Sequence, residues 1–487
     1  MASLGYKRNF AYLDLHKFAR NVIIRNEKHI DYCIEVGTII KLLKKIFGFG
    51  TSMPRLEATI IPRDQHIISR RNISQNALKV MYRLRDAGYS AYLVGGSVRD
   101  LLLGRSPKDF DVATNAKPEQ VKRLFRNSLI IGKRFRLIHV RFGHEIIEVA
   151  TFRANTSSRS HKHRQHAQHG MILRDNVYGT LEQDAERRDF TINALYYNIQ
   201  DLSIVDYCGG VEDLKHKTLR IIGEARQRYH EDPVRLLRIV RFAGKLGLTI
   251  DPTTEEPIAE LAPLLQHVPA ARLFDEVLKI FHSGHASEII PLMRRYKLFE
   301  QLFPQISACL ESEHNSQAER LLILVCKNTD ERIHENKGIS PGFLFAALLW
   351  YPLQHLTQQL LAQEQPAGIV RNLAPHQVIA RQIEQITIPR RFSIMVREIW
   401  DLQYRFTKMN PKQITRLLEH PRFRAGYDFL LLRSQAGEDV KKLSDWWQQF
   451  YEADTEQRQQ LLEKSKMPKT KKRRRRKKRA HEQQSSH

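Results

Sequence analysis

Asp109 and Asp111 flank Phe110 at the mouth of a short apolar run, KDFDVAT. In a strand, residues i and i+2 share a face about 6.6 Å apart, at a rise of about 3.3 Å each. Two carboxylates at that spacing repel by about 2.5 kcal/mol at an effective dielectric near 20, and a cation between them turns that cost into affinity. Oxygen-only ligands suit Mg²⁺ carrying substrate phosphates. A lone DxD more often ends as a solvated turn, so a second feature is needed. Gly95-Gly96 supplies it, ending thirteen residues before Asp109. A glycine pair before a helix lets backbone N–H groups approach a phosphate, and the helix dipole favours the anion. Together they point to a site that holds a nucleoside triphosphate by metal and backbone.

Several elements must position these residues. Tyr92-Leu93-Val94 reads as the strand that delivers the glycine pair; Ser97 can cap a helix to Leu103, with Gly104 in the stop position. Before it, Ser74 caps a helix whose Ala77, Leu78, Met81 and Leu84 share a face. After the DxD, 118–125 reads as a helix, and 129–131, 136–142 and 145–152 read as strands. The spacing predicts an α/β (α+β) head with a small mixed sheet. In 186–194, Asp189 stands where an N-cap would, ahead of a run whose Ile192, Leu195 and Tyr196 share a helical face. The stretch 206–214 is a glycine-hinged turn into a short helix.

Asp232 before Pro233 marks a further helix start, the acid capping and the proline in the first turn. Arg235, Arg238 and Arg241 then recur every three residues, with Leu236, Leu237, Ile239, Val240 and Phe242 filling the other face. By itself this is a capped helix with a solvated basic face and an ordinary Glu231–Arg235 pair. Beyond 250 the pattern is helical, broken at Pro304, Pro341, Pro352, Pro389 and Pro411. Arg390, Arg391, Phe392, Arg397, Trp400, Tyr404 and Arg405 interleave basic and aromatic side chains, a composition that suits single-stranded nucleic acid. Most of these aromatics are expected in the helical core.

The 487 residues carry a formal net charge of +26; eleven of these positive charges lie in 466–479, leaving +15 elsewhere. Such an excess points to a polyanion, RNA or DNA before membrane. Cys33, Cys208, Cys309 and Cys326 are scattered without metal spacing, as in a reduced cytoplasmic protein. The longest apolar run, 342–351, is far below the ~18–20 residues a bilayer span needs. No leader with an apolar core is visible in the first residues. His161, His163, His166 and His169 lack carboxylate or cysteine company and read as a basic tract rather than a metal site. Residues 34–50 could form a short amphipathic basic helix, a floppy extension being the simpler reading; translation starting near Ile40 or Met53 is a further alternative.

In order, Gly95-Gly96-Ser97-Val98-Arg99-Asp100, the Asp109/Asp111 pair, Arg187-Arg188-Asp189-Phe190-Thr191-Ile192-Asn193-Ala194, Gly209-Gly210 and Glu231-Asp232-Pro233-Val234-Arg235 resemble one family. It is the template-independent nucleotidyltransferases, which comprise bacterial poly(A) polymerase and the class II CCA-adding enzymes. The resemblance is dense over about 60–250 and looser to about 435. It implies a catalytic head over 56–215 after an extension at 1–55. A helical neck over 216–285 would bind the nucleotide base and RNA, a helical body over 286–455 RNA, and 456–487 would be a disordered basic tail. Asp109 and Asp111 would hold catalytic Mg²⁺ in a two-metal reaction, and Asp189 matches a third catalytic position, with Glu148 its rival. Gly95, Gly96, Arg99 and Arg188 would meet the triphosphate, and Asp232, Arg235, Arg238 and Arg241 complete the nucleotide site.

Asp232 with Arg235 complements the donor–acceptor order of adenine or cytosine, which guanine and uracil reverse; such mismatches are rejected by up to ~10⁴ or more. The stretch 129–140 resembles the block that marks poly(A) polymerases. The resemblance therefore implies AMP addition from ATP to RNA 3′ ends with release of pyrophosphate, in mRNA processing and decay. The enzyme would be a cytoplasmic monomer, without integral membrane association, that meets RNA-decay machinery. A CCA-adding tRNA nucleotidyltransferase is the alternative; a non-catalytic RNA-binding relative is a third reading, against which Asp109 and Asp111 argue.

Overall fold

Ser74 accepts hydrogen bonds from the N–H groups of Asn76 and Ala77 and opens helix α1, Gln75–Asp86, whose Ala77, Leu78, Val80, Met81 and Leu84 are buried. This is the cap the sequence predicts. The computed structural model describes residues 57–132, 136–154, 165–166, 172–174, 177–311 and 316–464. The extension, the charged end from 465 and the side chains of the histidine tract lie outside these.

Eight strands form one sheet: β1 (Thr59–Ile61), β2 (Ala91–Val94), β3 (Asp111–Thr114), β4 (Ser128–Ile131), β5 (Leu137–Phe142), β6 (Glu145–Thr151), β7 (Leu195–Asn198) and β8 (Ile204–Asp206). Their spatial order is β1-β8-β7-β2-β3-β6-β5-β4. Every neighbouring pair is antiparallel except β3 with β6. Val94, the last residue of β2, pairs with Asp111, the first of β3, and with Tyr196 of β7. The glycine turn, the DxD and Tyr196 therefore meet at one end of the sheet.

Between strands run helices α2 (Gly96–Leu102), α3 (Pro118–Leu124) and α4 (Leu181–Glu186); then follow α5 (Gly210–Lys215), α6 (Ala225–Glu231) and α7 (Val234–Leu246). Two expectations fail locally. Ser97 does not cap α2: its hydroxyl donates to the Val94 carbonyl at 3.1 Å, and the cap position falls to Gly95 at φ +75°, a conformation glycine adopts without steric cost. After Asp189 there is no helix but a short 3-10 turn, Thr191–Asn193, leading into β7. Leu195, Tyr196 and Tyr197 are fully buried at the middle of the sheet, so no polar alternation betrays the strand.

Helix α8 (Ala270–Phe281) packs against α7, and the rest of the described chain is helical. Pro304, Pro341, Pro389 and Pro411 mark helix starts as expected, Pro352 sits in a first turn, and Pro291 and Pro375 lie inside helices. Trp400 is core, its indole N–H donating to the Ala346 carbonyl at 2.9 Å, whereas Tyr404 is exposed. Thr455–Lys464, the start of the expected tail, is helical, and Leu461 and Leu462 pack on the small core around Trp447. Among the described residues no helix is long and apolar enough to cross a membrane.

Candidate active site

The acidic side of the site is set by strand register. Asp111 opens β3, and the parallel pairing places Glu148 of β6 opposite it. Asp109 lies in the loop just before β3 and is exposed, and its charge is felt by Asp111. His139 of β5 pairs with Glu148, its Nε2 3.0 Å from the carboxylate. Burial pushes the Asp111 carboxyl up to about 6; the charges of Glu148 and Asp109 push the same way and Arg188 opposes them. Among the described residues no three His, Cys, Asp or Glu side chains converge on one metal position. An octahedral Mg²⁺ keeps waters and substrate phosphates, so one or two carboxylates suffice. The donor set is oxygen-only and self-repelling, and it fits such an ion.

The basic side is built on the glycine turn. A side chain at Gly95 would lie 3.3 Å from Arg188 Nη1, and one at Gly96 3.4 Å from Arg99 Nη2. Gly95 is bare because its φ of +75° disfavours any side chain, and the Arg188 guanidinium fills the space beside it. Arg188 donates to Asp184 at 3.0 Å and to the Tyr196 hydroxyl at 2.8 Å, and that hydroxyl donates to Asp184 at 2.8 Å. Arg99 donates to Asn193 Oδ1 at 2.6 Å and to Asp100 at 2.7 Å.

Helix α7 closes the site, and its arginine stripe is not a solvated face. Arg99, Arg238 and Arg241 gather on the Phe242 ring, their guanidinium carbons 5.1, 5.4 and 4.5 Å from its centroid. Arg238 donates to Asp189 Oδ2 at 2.8 Å, while the Phe190 N–H and the Asn193 amide serve Oδ1 at 2.9 and 3.2 Å. Burial alone would raise the Asp189 carboxyl, but Arg238 and these donors outweigh it and hold it at about 2. Asp232 does not cap α7: Arg272 of α8 grips both its oxygens, at 2.7 and 2.8 Å. Arg235 is buried and turns back to the Arg228 carbonyl at 2.6 Å, with Glu231 at 3.5 Å as the expected i, i+4 pair.

Asp184, Asn193, Tyr196, Arg272 and Glu276 are further members of the site to which the sequence reading gives no site role. Asp184 had a local signal, standing four residues before Arg188 on α4. Asn193 lies inside the charged cluster but has no charge to draw attention. Arg272 carries no local signal, since its partner Asp232 lies forty residues earlier, and the local Glu276–Lys279 pair gives no hint of Arg241.

Comparisons with known proteins identify the family. Three family models match: Poly A polymerase head domain over residues 91–220, Probable RNA and SrmB- binding site of polymerase A over 247–310, and Polymerase A arginine-rich C-terminus over 363–481. Poly(A) polymerase I of Escherichia coli is 51% identical over 409 residues, spanning 82% of this chain and 87% of that protein. A CCA-adding enzyme of Lactobacillus helveticus is 36% identical over 271 residues, 53% of this chain and 65% of that one. Among solved structures, a tRNA-processing enzyme in its apo form shares the fold with a TM-score of 0.56 at 22% identity, covering 82% of this chain and 98% of that chain. The poly(A) polymerase match is both the more identical and the longer, 82% of this chain against 53%, and so the chain belongs to the bacterial poly(A) polymerase family, nucleotidyltransferases that add adenylate.

Proposed function

We propose that this enzyme adds AMP from ATP, without a template, to the 3′ ends of RNA. The observation that carries the reading is Asp111. It is a half-buried carboxyl raised first by desolvation and then by the charges of Glu148 and Asp109, at the same sheet end as a turn with two arginines beside it. A negative pocket beside an arginine wall suits a divalent ion on one side and a triphosphate on the other. Asp109 and Asp111 are the residues that would hold Mg²⁺, which would supply charge neutralisation at the reacting phosphates and a lower pKa for the attacking hydroxyl.

The chain's own groups do the rest. Arg99 and Arg188, with the glycine turn, bind the triphosphate, and Arg238 and Arg241 extend that wall from α7. The 3′ oxygen of the RNA bonds to the α-phosphorus of ATP, the bond to the β-phosphate oxygen breaks, and pyrophosphate leaves. Asp232 and Arg235 meet the base edge, Asp232 held in place by Arg272. Asp189 acts as a positioning residue that fixes Arg238, and Glu148 supplies the carboxylate opposite Asp111. The proposed setting is mRNA processing and decay in the cytoplasm.

The test is a nucleotide-incorporation profile on a non-tRNA oligonucleotide and on tRNA lacking its CCA end. Long tails from ATP alone are expected; CTP incorporation into the tRNA would overturn the reading in favour of CCA addition. D109A should abolish addition while retaining RNA, and an active D109A would refute the metal assignment.

A further inference from the structure

Glu276 is a buried carboxylate that the proposed reaction does not use. It lies on α8 with its side chain 6% exposed, and its Oε2 is 4.0 Å from Arg241 Nε. Neither of these two atoms has a hydrogen-bond partner among the described residues. The other oxygen, Oε1, accepts from Lys279 at 2.7 Å. The pair is thus close enough to feel full charge and too far apart to bond, in surroundings where an unmade bond is costly.

Arg241 is also crowded by its own kind. Burial lowers its pKa to about 10; Arg238 and Arg99 push in the same direction, while Glu276 and Asp189 oppose them. At neutral pH it is a cation on the ring shared with Arg99 and Arg238, and its Nε has made no hydrogen bond. Such a guanidinium is poised to exchange one anion for another. We propose that Glu276 is the counter-charge with which the triphosphate competes for Arg241, so that Glu276 sets how tightly ATP and pyrophosphate are held.

The chemistry has a definite sign. A carboxylate next to the phosphate-binding arginine repels the incoming phosphates and eases departure of the pyrophosphate. Lys279 on the outer side draws charge from Glu276 and works the opposite way. The inference rests on Arg241 facing the triphosphate, as proposed above, and the variants keep the two apart.

E276Q keeps the shape and removes the charge. It should lower KM for ATP and the inhibition constant of pyrophosphate together, by about three- to tenfold for one unit charge acting across a partly screened ~8 Å. Inhibition by adenosine, which has no phosphate, should not change. E276D should stay near the parent values, and K279Q should shift both constants upward, about twofold for a half-exposed cation. If folded E276Q moves neither constant, or moves adenosine inhibition as much, Glu276 only shapes the pocket and the inference is overturned. If E276Q fails to fold, K279Q decides: unchanged constants overturn the inference too. R241Q separates the premise. Unchanged KM for ATP in R241Q removes Arg241 from the triphosphate site, whereas weakened ATP in R241Q with no effect of E276Q sinks the Glu276 inference alone.

Discussion

Burial, Glu148 and Asp109 hold the Asp111 carboxyl near 6, above the usual carboxylate value. Between about pH 4 and 6 the folded chain then keeps a proton there that the unfolded chain has released. Without a divalent ion, stability therefore falls as pH rises through that window, by about 3 kcal/mol in all. D111N removes the charge and should melt about 2–4 °C higher than the parent in metal-free buffer at pH 7.5, and should lose the stabilisation that Mg²⁺ gives the parent. Thermal melts with and without Mg²⁺ check this; a metal-free D111N that melts lower would show that the carboxylate is not a strained anion. The aspartates and the α7 arginines are legible in the sequence because their spacing is local and their types carry chemistry. What each touches is not legible. Asp232 reads as a cap and turns out to be gripped by Arg272, forty residues away.

At the scale of elements, the Asp189–Arg238 pair ties the turn before β7 to α7. Its carboxyl sits at about 2, well below the usual value, so the stability it contributes is present above about pH 4 and is lost as pH falls toward 2. D189A strands the buried Arg238 without its partner and should cost about 3–5 kcal/mol in urea unfolding. It should also raise KM for ATP, and a loss below about 1 kcal/mol would mark the pair as dispensable. The elements that read cleanly are those with an end signal or one polar face: α1 with its Ser74 cap, α3 led by Pro118, α5 hinged at Gly209. β7 misleads because both its faces are buried, which leaves an apolar run with no period to read.

Across the whole molecule, charge is the legible property: +26 overall, with eleven positive charges packed into 466–479. If this end makes about 4–6 contacts to single-stranded phosphates, deleting 466–487 should flatten the slope of log affinity against log salt by about 3–4. ATP use on a short primer should change less. Filter binding across a salt series measures the slope, and an unchanged slope would free the tail of that role. The basic–aromatic stretch at 390–405 shows the limit of composition, since Trp400 is core and Tyr404 surface although both sit in one pattern. Only packing sorts them.

The active site is also a statement about how the chain must fold. Arg99 is fixed by Asn193, 94 residues later; Asp189 by Arg238, 49 later; Asp232 by Arg272, 40 later. None of these closures is local, so each must wait for a large loop to be drawn in. A product truncated before Arg238 would carry both aspartates and the glycine turn with neither Arg238 nor Arg241 against them. Chains cut progressively from the C-terminal side should lose ATP binding in one step as the cut passes Arg272 and α7, not by degrees. The chain that completes this site is therefore made well after the aspartates that open it.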